Sequence, residues 1–443
     1  MNNKVGIRLE DKNKWERRTP IVPNHMKELK KSESLEFIVQ KSPIRSFTDK
    51  EYQDSGAIIS SDLKEAKVIF AIKEIPAKLL EKDKIYIFFS HTVKGQKSNM
   101  PLLKHILDLD ITLIDYEKIV NDKGFRLIYF GNYAGLAGMN QTLWAFGQRV
   151  KAEKNIDTPF LNLKHTYEYN GLPNMNKAMT KVGKEIKEKG LPKELVPLIV
   201  GFAGYGNVSK GAQSVLEKLP VIELEPADLA DFYNNRTEEM SRNHLYKVVF
   251  KEEDMVTPIK EEDTFELQDY YKYGSEKYKG VFNQYIPFLS ILMNGIYWSE
   301  KYPKLLTKEE AKDIYQSKIF IRLQVVGDIS CDIEGGIEPT LRVTEPDNPV
   351  FIYNPFSDQA TLGVSGDGLA IMAVDNLPCE LPQESSNNFS STLKPYVPII
   401  AKADYTKSFE ELDLPPVIKN AVITHKGELS PNYKYLEKFL AEN

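Results

Sequence analysis

Short apolar runs separated by longer polar stretches make up the first part of the chain. The runs lie at residues 5–9, 37–39, 68–72, 85–89, 111–114 and 127–130. Each run has the length of a strand, and the polar stretches between them are typical of surface helices. Alternating strands and helices favour a parallel sheet covered by helices. The pattern therefore predicts an α/β fold for this part of the chain.

A second pattern begins at residues 196–200, where an apolar run leads into three glycines and a helical stretch. The run is typical of a strand buried on both faces. Residues 204–209 read GYGNVS and fit G-x-G-x-x-G, with Ser209 in place of the last glycine. At such a turn the backbone N–H groups of the helix start can bind a pyrophosphate. The candidate cofactor-binding residues of this turn are Gly204, Tyr205, Gly206, Asn207 and Val208.

A further apolar run at residues 221–224 predicts the next strand, and Glu225 at its end lies 21 residues after Gly204. The dinucleotide fold places an acid near this distance to bind the adenosine ribose. Such an acid favours NAD, whereas Lys210 or a residue of the following segment could bind the 2′-phosphate of NADP, so the expected cofactor is NAD(P)H. The alternative is an ordinary strand-to-helix turn, with Glu225 capping a helix or solvated.

Charged and polar side chains follow three strands of the first predicted sheet. They are Arg17, Arg18, Lys73, Glu74, His91, Lys94 and Gln96. Taken singly, each is explained as a solvated surface residue or a structural histidine. Ligands of parallel sheets gather beyond the carboxyl ends of the strands, however, so together these groups indicate a substrate site rich in positive charge.

Composition excludes several classes of function. The 443 residues include 42% hydrophobic residues, which predicts two or three domains with sizeable cores. A net charge of -5, with dispersed basic residues, gives no reason to expect nucleic acid. The two cysteines, Cys331 and Cys379, are too few for a disulfide framework or a zinc cluster, so we expect no metal. No run approaches the ~18 apolar residues of a membrane span and no signal core is present, so we expect a cytoplasmic protein with no membrane partner.

These patterns predict two Rossmann-like α/β domains with parallel sheets and an active-site cleft between them. We expect residues 1–135, completed by 383–443, to form a substrate domain, and residues 136–382 to form the NAD(P)-binding domain. An insert at about 226–285 is charged, rich in tyrosine and without periodicity. Its composition favours an irregular surface subdomain over a lid or an oligomer surface.

Seven motifs spread over nearly the whole chain carry a family resemblance. They are WERR at 15–18, KE at 73–74, FFSHTVK at 88–94, FGNYAG at 130–135, GYGNVSKG at 204–211, NGIYW at 294–298 and DNLP at 375–378. Together they resemble the lysine-forming saccharopine dehydrogenases, and most closely the lysine-ketoglutarate reductase half of the bifunctional aminoadipic semialdehyde synthases. Glu-x-Arg, Lys-Glu and Asp-Asn-Leu-Pro are also similar to the alanine dehydrogenases.

The resemblance implies an oxidoreductase that interconverts L-lysine, 2-oxoglutarate and NAD(P)H with saccharopine, NAD(P)+ and water. It implies acid–base chemistry at Lys73 and His91. The substrate-binding residues that it implies, with Glu74 beside Lys73, are Arg18, Glu74, Lys94, Gln96, Arg126 and Phe130. Beyond the glycine turn and Glu225, the cofactor-binding residues that it implies are Asn294, Ile296, Asp328, Asp375 and Leu377.

Two alternative functions stay open at this point. One is an alanine-dehydrogenase-like enzyme that acts on a small 2-oxo acid with ammonia, although the large insert and the Lys94 and Gln96 pair favour a larger substrate with more carboxylates. The other is a catalytically silent dinucleotide-binding protein, which would have no need for the full set of charged candidates. The sequence leaves the direction of the reaction and a homo-oligomeric state open.

Overall fold

The computed structural model describes residues 3–237, 240–316 and 322–441, and it divides into two compact units. Unit 1 consists of Met1–Phe130 and Pro382–Asn443, and unit 2 is Gly131–Leu381. Each unit is built around one mostly parallel sheet of eight strands. Within the described residues, no helix is both long and apolar enough to cross a membrane.

The strands are numbered in chain order. They are β1 Lys4–Ile7, β2 Glu36–Gln40, β3 Ile58–Ser60, β4 Val68–Phe70, β5 Ile85–Phe88, β6 Thr112–Asp115, β7 Ile199–Ala203, β8 Val221–Leu224, β9 Leu245–Phe250, β10 Val256–Pro258, β11 Tyr278–Gly280, β12 Ile291–Asn294, β13 Val325–Asp328, β14 Val350–Asn354, β15 Gln359–Leu362, β16 Leu369–Met372, β17 Val422–His425 and β18 Glu428–Leu429.

The α-helices are numbered in the same way. They are α1 Pro23–Glu33, α2 Asp49–Asp54, α3 Met100–Asp108, α4 Gly131–Lys154, α5 Leu172–Lys189, α6 Asn207–Leu216, α7 Leu229–Asn234, α8 Glu252–Met255, α9 Leu267–Tyr273, α10 Lys308–Gln316, α11 Pro382–Leu393, α12 Val397–Lys402, α13 Pro416–Lys419 and α14 Glu437–Ala441.

The sheet of unit 1 has the order β18-β17-β6-β5-β4-β1-β2-β3. The six strands β6, β5, β4, β1, β2 and β3, in this order across the sheet, pair in parallel. Strands β17 and β18 add an antiparallel edge beside β6. Side chains of successive residues pack into different cores, as Ile69 and Phe70 do, because a strand alternates its faces. Burial on both faces explains why these strands read as continuous apolar runs.

The sheet of unit 2 has the order β15-β14-β16-β13-β12-β7-β9-β8. Strands β8, β9, β7, β12, β13 and β16 run parallel, and β14 and β15 form an antiparallel edge. Helix α4 packs against α6 at short range. A Cβ atom added at Gly211 would overlap the backbone oxygen of Asn132, so the small residue permits this packing.

Several elements differ from the sequence pattern. The apolar run at 127–130 forms no strand, while β3 and helix α5 were not predicted. The predicted insert at about 226–285 contains β9, which lies inside the sheet between β7 and β8. The interval is therefore not wholly a surface addition, because six of its residues form a buried part of the core sheet.

Candidate functional site

The candidate catalytic residues of unit 1 follow β1, β4 and β5 at the carboxyl ends of these strands. The chain moves from β1 to β2 and β3 on one side, and then returns to β4 on the other side. The order of the sheet thus reverses between β1 and β4, and α/β sheets bind ligands at such a reversal. Glu10, Lys12 and Arg18 come after β1, whereas Lys73 and Glu74 come after β4.

Glu10 fixes the backbone that carries Lys73. Its Oε1 accepts a hydrogen bond from Ile72 N at 2.6 Å, and its Oε2 accepts one from Lys73 N at 3.0 Å. Burial and the nearby charge of Glu16 raise the pKa of Glu10 to about 8. We did not predict a role for this residue, although a carboxylate just beyond a strand was the signal that could have identified it.

Lys73 has a side chain that is partly withdrawn from water and surrounded by charge. Burial lowers the pKa of its ammonium group, and the positive charges of Arg18 and Lys12 lower it further. Glu16 and Glu74 oppose the shift without cancelling it. Lys73 therefore gives up its proton more readily than a surface lysine.

Glu74, the residue after Lys73, forms a pair with His91. The Nδ1 atom of His91 hydrogen-bonds to Glu74 Oε1, and Lys12 Nζ lies 3.2 Å from Glu74 Oε2. Burial alone would raise the pKa of Glu74, but the hydrogen bond and the charges of His91 and Lys12 lower it to about 2. The Glu74 carboxylate is thus ionised at neutral pH and orients the imidazole of His91. The Nε2 atom of the ring can then exchange a proton with a substrate.

The backbone of His91 is also held in place. His91 has φ 54°, a left-handed conformation that non-glycine residues seldom adopt. Asn99 Nδ2 donates to the His91 carbonyl oxygen at 2.8 Å, and the same amide lies 3.3 Å from Gln96 Oε1. Gln96 is therefore linked to His91 through Asn99, whereas Lys94 is exposed on the turn between them.

Arg18 is buried, with 2% of its surface exposed, and is held on two sides. Its Nε and Nη2 lie 2.8 Å and 2.5 Å from the two carboxylate oxygens of Glu16. Its guanidinium lies 4.1 Å from the ring centroid of Phe130, which stacks on Phe389 at 4.7 Å. Glu16, which belongs to the Glu-x-Arg motif but for which we predicted no role, thus fixes Arg18 in a preorganised position against Phe130.

Arg126 differs from Arg18 in its surroundings. It is exposed and forms an ion pair with Glu117, which follows the buried Asp115 at the end of β6. A carboxylate substrate would meet Arg126 together with this acidic partner. Glu117 is therefore a third acidic residue near the candidates, after Glu10 and Glu16, for which sequence reasoning predicted no role.

The glycine turn of unit 2 fits a pyrophosphate. Gly204 has φ 90°, and a Cβ atom there would lie 2.9 Å from Ile296 Cγ2. At Gly206 a Cβ atom would meet no heavy atom within 4 Å, so space is open at the start of α6, where Asn207 and Val208 present the first N–H groups of the helix. Open space at a helix amino terminus suits the phosphates of a dinucleotide.

The ends of β12 and β13 carry a buried polar group beside this turn. Asn294 Nδ2 donates to Asp328 Oδ1 at 2.8 Å, and Thr340 Oγ1 donates to Asp328 Oδ2 at 2.6 Å. Burial raises the pKa of Asp328 to about 6, although these hydrogen bonds act in the opposite direction. The Ile296 carbonyl oxygen accepts a hydrogen bond from Ser330 Oγ at 2.5 Å, which fixes the loop that contacts Gly204.

The remaining cofactor candidates lie in different environments. Asp375 is exposed after β16, whereas Leu377 is 1% exposed and belongs to the hydrophobic core. Ser209 is buried and its Oγ accepts from Gln213 Nε2, so the third motif position does not lie open to a ligand. Gly211 permits the close helix packing instead.

Glu225 follows the strand that the sequence predicted, but this strand does not lie next to the glycine turn. It is exposed and follows β8 at the edge of the sheet, and β9 separates β8 from the glycine-turn strand β7. The dinucleotide fold places its ribose-binding acid on the strand next to the glycine turn. Counting residues assigned that position to β8, whereas the structure places β9 there.

Groups of three or more His, Cys, Asp or Glu side chains that could hold a metal ion do not occur among the described residues. Backbone N–H groups, an open helix terminus and a buried carboxylate at a strand end are suited to a nicotinamide dinucleotide.

Comparisons with known proteins identify relatives over the whole chain. It is 38% identical to the alpha-aminoadipic semialdehyde synthase of Arabidopsis thaliana, and the match covers 100% of this chain and 42% of that protein. It is 26% identical to the saccharopine dehydrogenase (NAD(+), L-lysine-forming) of Yarrowia lipolytica, with 88% of this chain and 90% of that protein covered. The chain thus spans less than half the length of the plant relative.

Solved structures show the same fold. An L-alanine dehydrogenase superposes with a TM-score of 0.62 at 14% identity, and the match covers 99% of each chain. The family models described as alanine dehydrogenase/PNT, N-terminal domain and C-terminal domain match residues 6–137 and 296–432, which together are more than half of the chain. The chain therefore belongs to the alanine dehydrogenase/PNT family.

Proposed function

We propose that this protein catalyses the reversible reductive condensation of L-lysine with 2-oxoglutarate. L-Lysine, 2-oxoglutarate, NAD(P)H and a proton give saccharopine, NAD(P)+ and water. The observation that carries the proposal is Lys73, with its lowered pKa, next to a Glu74 that orients His91. The similarity to proteins named aminoadipic semialdehyde synthase and saccharopine dehydrogenase supports the choice of substrates.

Lys73 and His91 supply the proton transfers of this reaction. The lysine substrate must lose a proton before its amine attacks the keto carbon, and the carbinol oxygen must gain one before it leaves as water. Lys73 Nζ is suited to accept the first proton because burial and nearby cations favour its neutral form. His91 Nε2 is suited to deliver the second, since Glu74 fixes the ring through Nδ1.

Basic side chains on unit 1 supply substrate binding. Arg18, Lys94 and Arg126 are candidates for the carboxylates of 2-oxoglutarate and saccharopine, with Gln96 and Phe130 beside them. Arg18 is preorganised by Glu16, so it loses little side-chain entropy when it contacts a substrate. To bind a substrate carboxylate, Arg126 would give up part of its ion pair with Glu117.

The residues of unit 2 that would hold the cofactor are the glycine turn and the strand ends beside it. Gly204, Tyr205, Gly206, Asn207 and Val208 surround the phosphate position. The further candidates are Asn294, Ile296, Asp328, Asp375 and Leu377, the last through its backbone because its side chain is buried. When bound, the nicotinamide supplies the hydride, and the protein contributes position and charge.

A cofactor-oxidation assay tests the proposal. The purified protein is mixed with L-lysine, 2-oxoglutarate and either NADH or NADPH, and the near-ultraviolet absorbance of the reduced nicotinamide is followed. We expect oxidation that depends on both substrates, with saccharopine identified by mass spectrometry. Parallel reactions contain pyruvate and ammonia, because the fold is also that of an L-alanine dehydrogenase.

The outcomes of this assay separate the candidate functions. Oxidation only with pyruvate and ammonia would replace the proposal by an amino-acid dehydrogenase that acts on small 2-oxo acids. Cofactor binding without turnover of either substrate pair would leave a silent dinucleotide-binding protein. A cytoplasmic location and a homo-oligomer complete the proposal, and cell fractionation and light scattering of the purified protein test them.

A further inference from the structure

Asp115, the last residue of β6, carries a fully buried carboxylate that the proposed function does not use. Its Oδ2 accepts hydrogen bonds from Ser90 N at 3.0 Å and from Ser90 Oγ at 2.5 Å. Its Oδ1 accepts one from Glu117 N at 2.8 Å. Asp115 therefore joins two segments that follow the neighbouring strands β5 and β6, and the first of these segments carries His91.

Ser90 and Thr92, the residues on either side of His91, are fully buried. The two hydroxyl oxygens lie 2.8 Å apart, and Thr92 N donates to Ser90 Oγ at 3.3 Å. An ionised carboxylate can only accept, so in this form Asp115 takes the hydroxyl proton of Ser90, and Ser90 accepts from Thr92. The residues that flank His91 are thus connected to the buried carboxylate in one direction of donation.

His91 needs this support because its backbone is left-handed. Its φ is 54°, and a residue other than glycine keeps such a conformation only where its surroundings fix it. Asn99 Nδ2 holds the carbonyl oxygen of His91 at 2.8 Å, and Asp115 holds the amino side through Ser90. A shift of residues 90–92 would move the imidazole away from Glu74, its partner at Nδ1.

We propose that Asp115 is a positioning residue that holds the acid–base histidine in place through Ser90. The proposal rests on the proposed function and adds a buried residue that acts on His91 from behind the site. The same carboxylate caps the short turn Tyr116–Lys118 through Glu117 N, and Glu117 forms the ion pair with Arg126. Asp115 thus ties the histidine segment to the partner of a candidate substrate-binding arginine.

Asparagine cannot replace Asp115 in this arrangement. The backbone N–H groups of Ser90 and Glu117 face different carboxylate oxygens, whereas an asparagine side chain offers one oxygen and one NH2 group. In either orientation the NH2 group meets a backbone N–H group, and one buried donor loses its acceptor. Asp115→Asn therefore keeps the shape of the side chain but releases one of the two segments.

Steady-state kinetics of Asp115→Asn test the assignment. We expect kcat to fall by about ten- to a hundredfold, because a displaced imidazole transfers protons poorly, while the KM for the reduced cofactor stays within about twofold. In a His91→Gln background the same substitution should lower kcat by less than about threefold, since the group that Asp115 positions is absent. Equal losses in both backgrounds would overturn the assignment, as would a wild-type kcat in Asp115→Asn.

The tautomer of His91 provides a readout that needs no turnover. Because Glu74 is ionised, with a pKa of about 2, the Nδ1 atom of a neutral His91 carries the proton that it donates. Nitrogen NMR of isotope-labelled histidine distinguishes the two tautomers, and His91→Gln identifies the signals. We expect the Nδ1–H form in the wild-type protein and a mixture in Asp115→Asn. An unchanged tautomer would contradict the positioning role.

Thr424→Val is the matched control for stability. Thr424 is fully buried on β17, and its Oγ1 accepts from Leu113 N of β6 at 3.2 Å and donates to the Ile111 carbonyl oxygen at 2.8 Å. The variant loses buried hydrogen bonds to the strand that carries Asp115. We expect a lower Tm, a kcat within about twofold of wild type and an unchanged tautomer. A comparable loss of kcat in this control would reduce the effect of Asp115→Asn to one of stability.

Ser90→Ala covers the case in which Asp115→Asn does not fold. It removes the hydroxyl and keeps the backbone N–H of residue 90 on Asp115. We expect a smaller loss of kcat, about three- to tenfold, that disappears in the His91→Gln background. A loss that persists in that background would overturn the assignment.

The result is separable from the proposed reaction. If L-lysine and 2-oxoglutarate support no oxidation but the tautomer of His91 changes in Asp115→Asn, the positioning of His91 stands and the proposed reaction fails. If the wild-type protein turns over these substrates while neither kcat nor the tautomer responds to Asp115→Asn, the reverse holds.

Discussion

The imidazole of His91 is oriented by the carboxylate of Glu74, which hydrogen-bonds to Nδ1 and is kept ionised with a pKa of about 2. Glu74→Gln would replace this charged partner by a neutral amide of the same shape. We expect kcat to fall by about ten- to a hundredfold, because the imidazole loses its orienting charge while the fold is retained. Steady-state kinetics with a matched thermal melt measure both effects, and an unchanged kcat would remove Glu74 from the mechanism.

Lys73→Met tests the proposed proton acceptor. Methionine preserves the length and apolar stem of the side chain, so we expect native folding and a loss of kcat of about a hundredfold or more. Lys78→Met is the matched control, since Lys78 is exposed on the short turn that follows. Normal turnover in Lys73→Met would show that another group accepts the proton.

Lys12→Gln tests how Lys73 is tuned. The positive charge of Lys12 contributes to the lowered pKa of Lys73, after burial and Arg18. Removing the positive charge of Lys12 stabilises the protonated form of Lys73, so the pKa of Lys73 rises. If neutral Lys73 is the active form, the limb of kcat/KM that increases with pH should move to higher pH by about half a pH unit. Lys14→Gln removes an exposed charge two residues away and should leave the profile in place.

The local features of this fold were predictable from sequence. Apolar runs gave five of the six strands β1 to β6, and the glycine turn with the helix after it was identified because its signal lies in consecutive residues. Lys73, Glu74 and His91 could be proposed as candidates because parallel strands present their following residues at one edge, and the structure brings Glu74 and His91 into contact. In each case the prediction needed only neighbours in sequence.

The features that were missed depend on contacts between distant segments. The order β7-β9-β8 in the sheet is set by tertiary packing and does not follow the order of the strands in the sequence. A residue count from Gly204 therefore led to Glu225 and not to the end of β9. The support that Glu10 gives to Lys73 joins residues 63 positions apart. Helix α5 was overlooked because its polar residues outnumber the apolar ones that pack into the core, such as Met175 and Met179.

Two glycines of the dinucleotide unit should respond oppositely to alanine. A Cβ atom at Gly211 would overlap the Asn132 carbonyl oxygen, so Gly211→Ala should lower the free energy of unfolding by about 1–3 kcal/mol. A Cβ atom at Gly206 meets open space, so Gly206→Ala should fold normally and bind the dinucleotide more weakly. Urea unfolding and calorimetric titration distinguish the two effects, and a stable Gly211→Ala would contradict the close packing of α4 on α6.

Asp328 makes stability depend on pH. Burial raises its pKa from the ordinary value of 3.8 to about 6 in the folded protein, so the folded state holds a proton that the unfolded state has already lost between these values. The free energy of unfolding should therefore fall as pH rises from about 4 to 6, by at most about 3 kcal/mol from this residue. Asp328→Asn keeps an acceptor for Asn294 and a hydrogen bond with Thr340, but has no proton to lose. The difference in free energy of unfolding between the two proteins should grow over this pH range in favour of the variant, and a constant difference would show that Asp328 is ionised throughout.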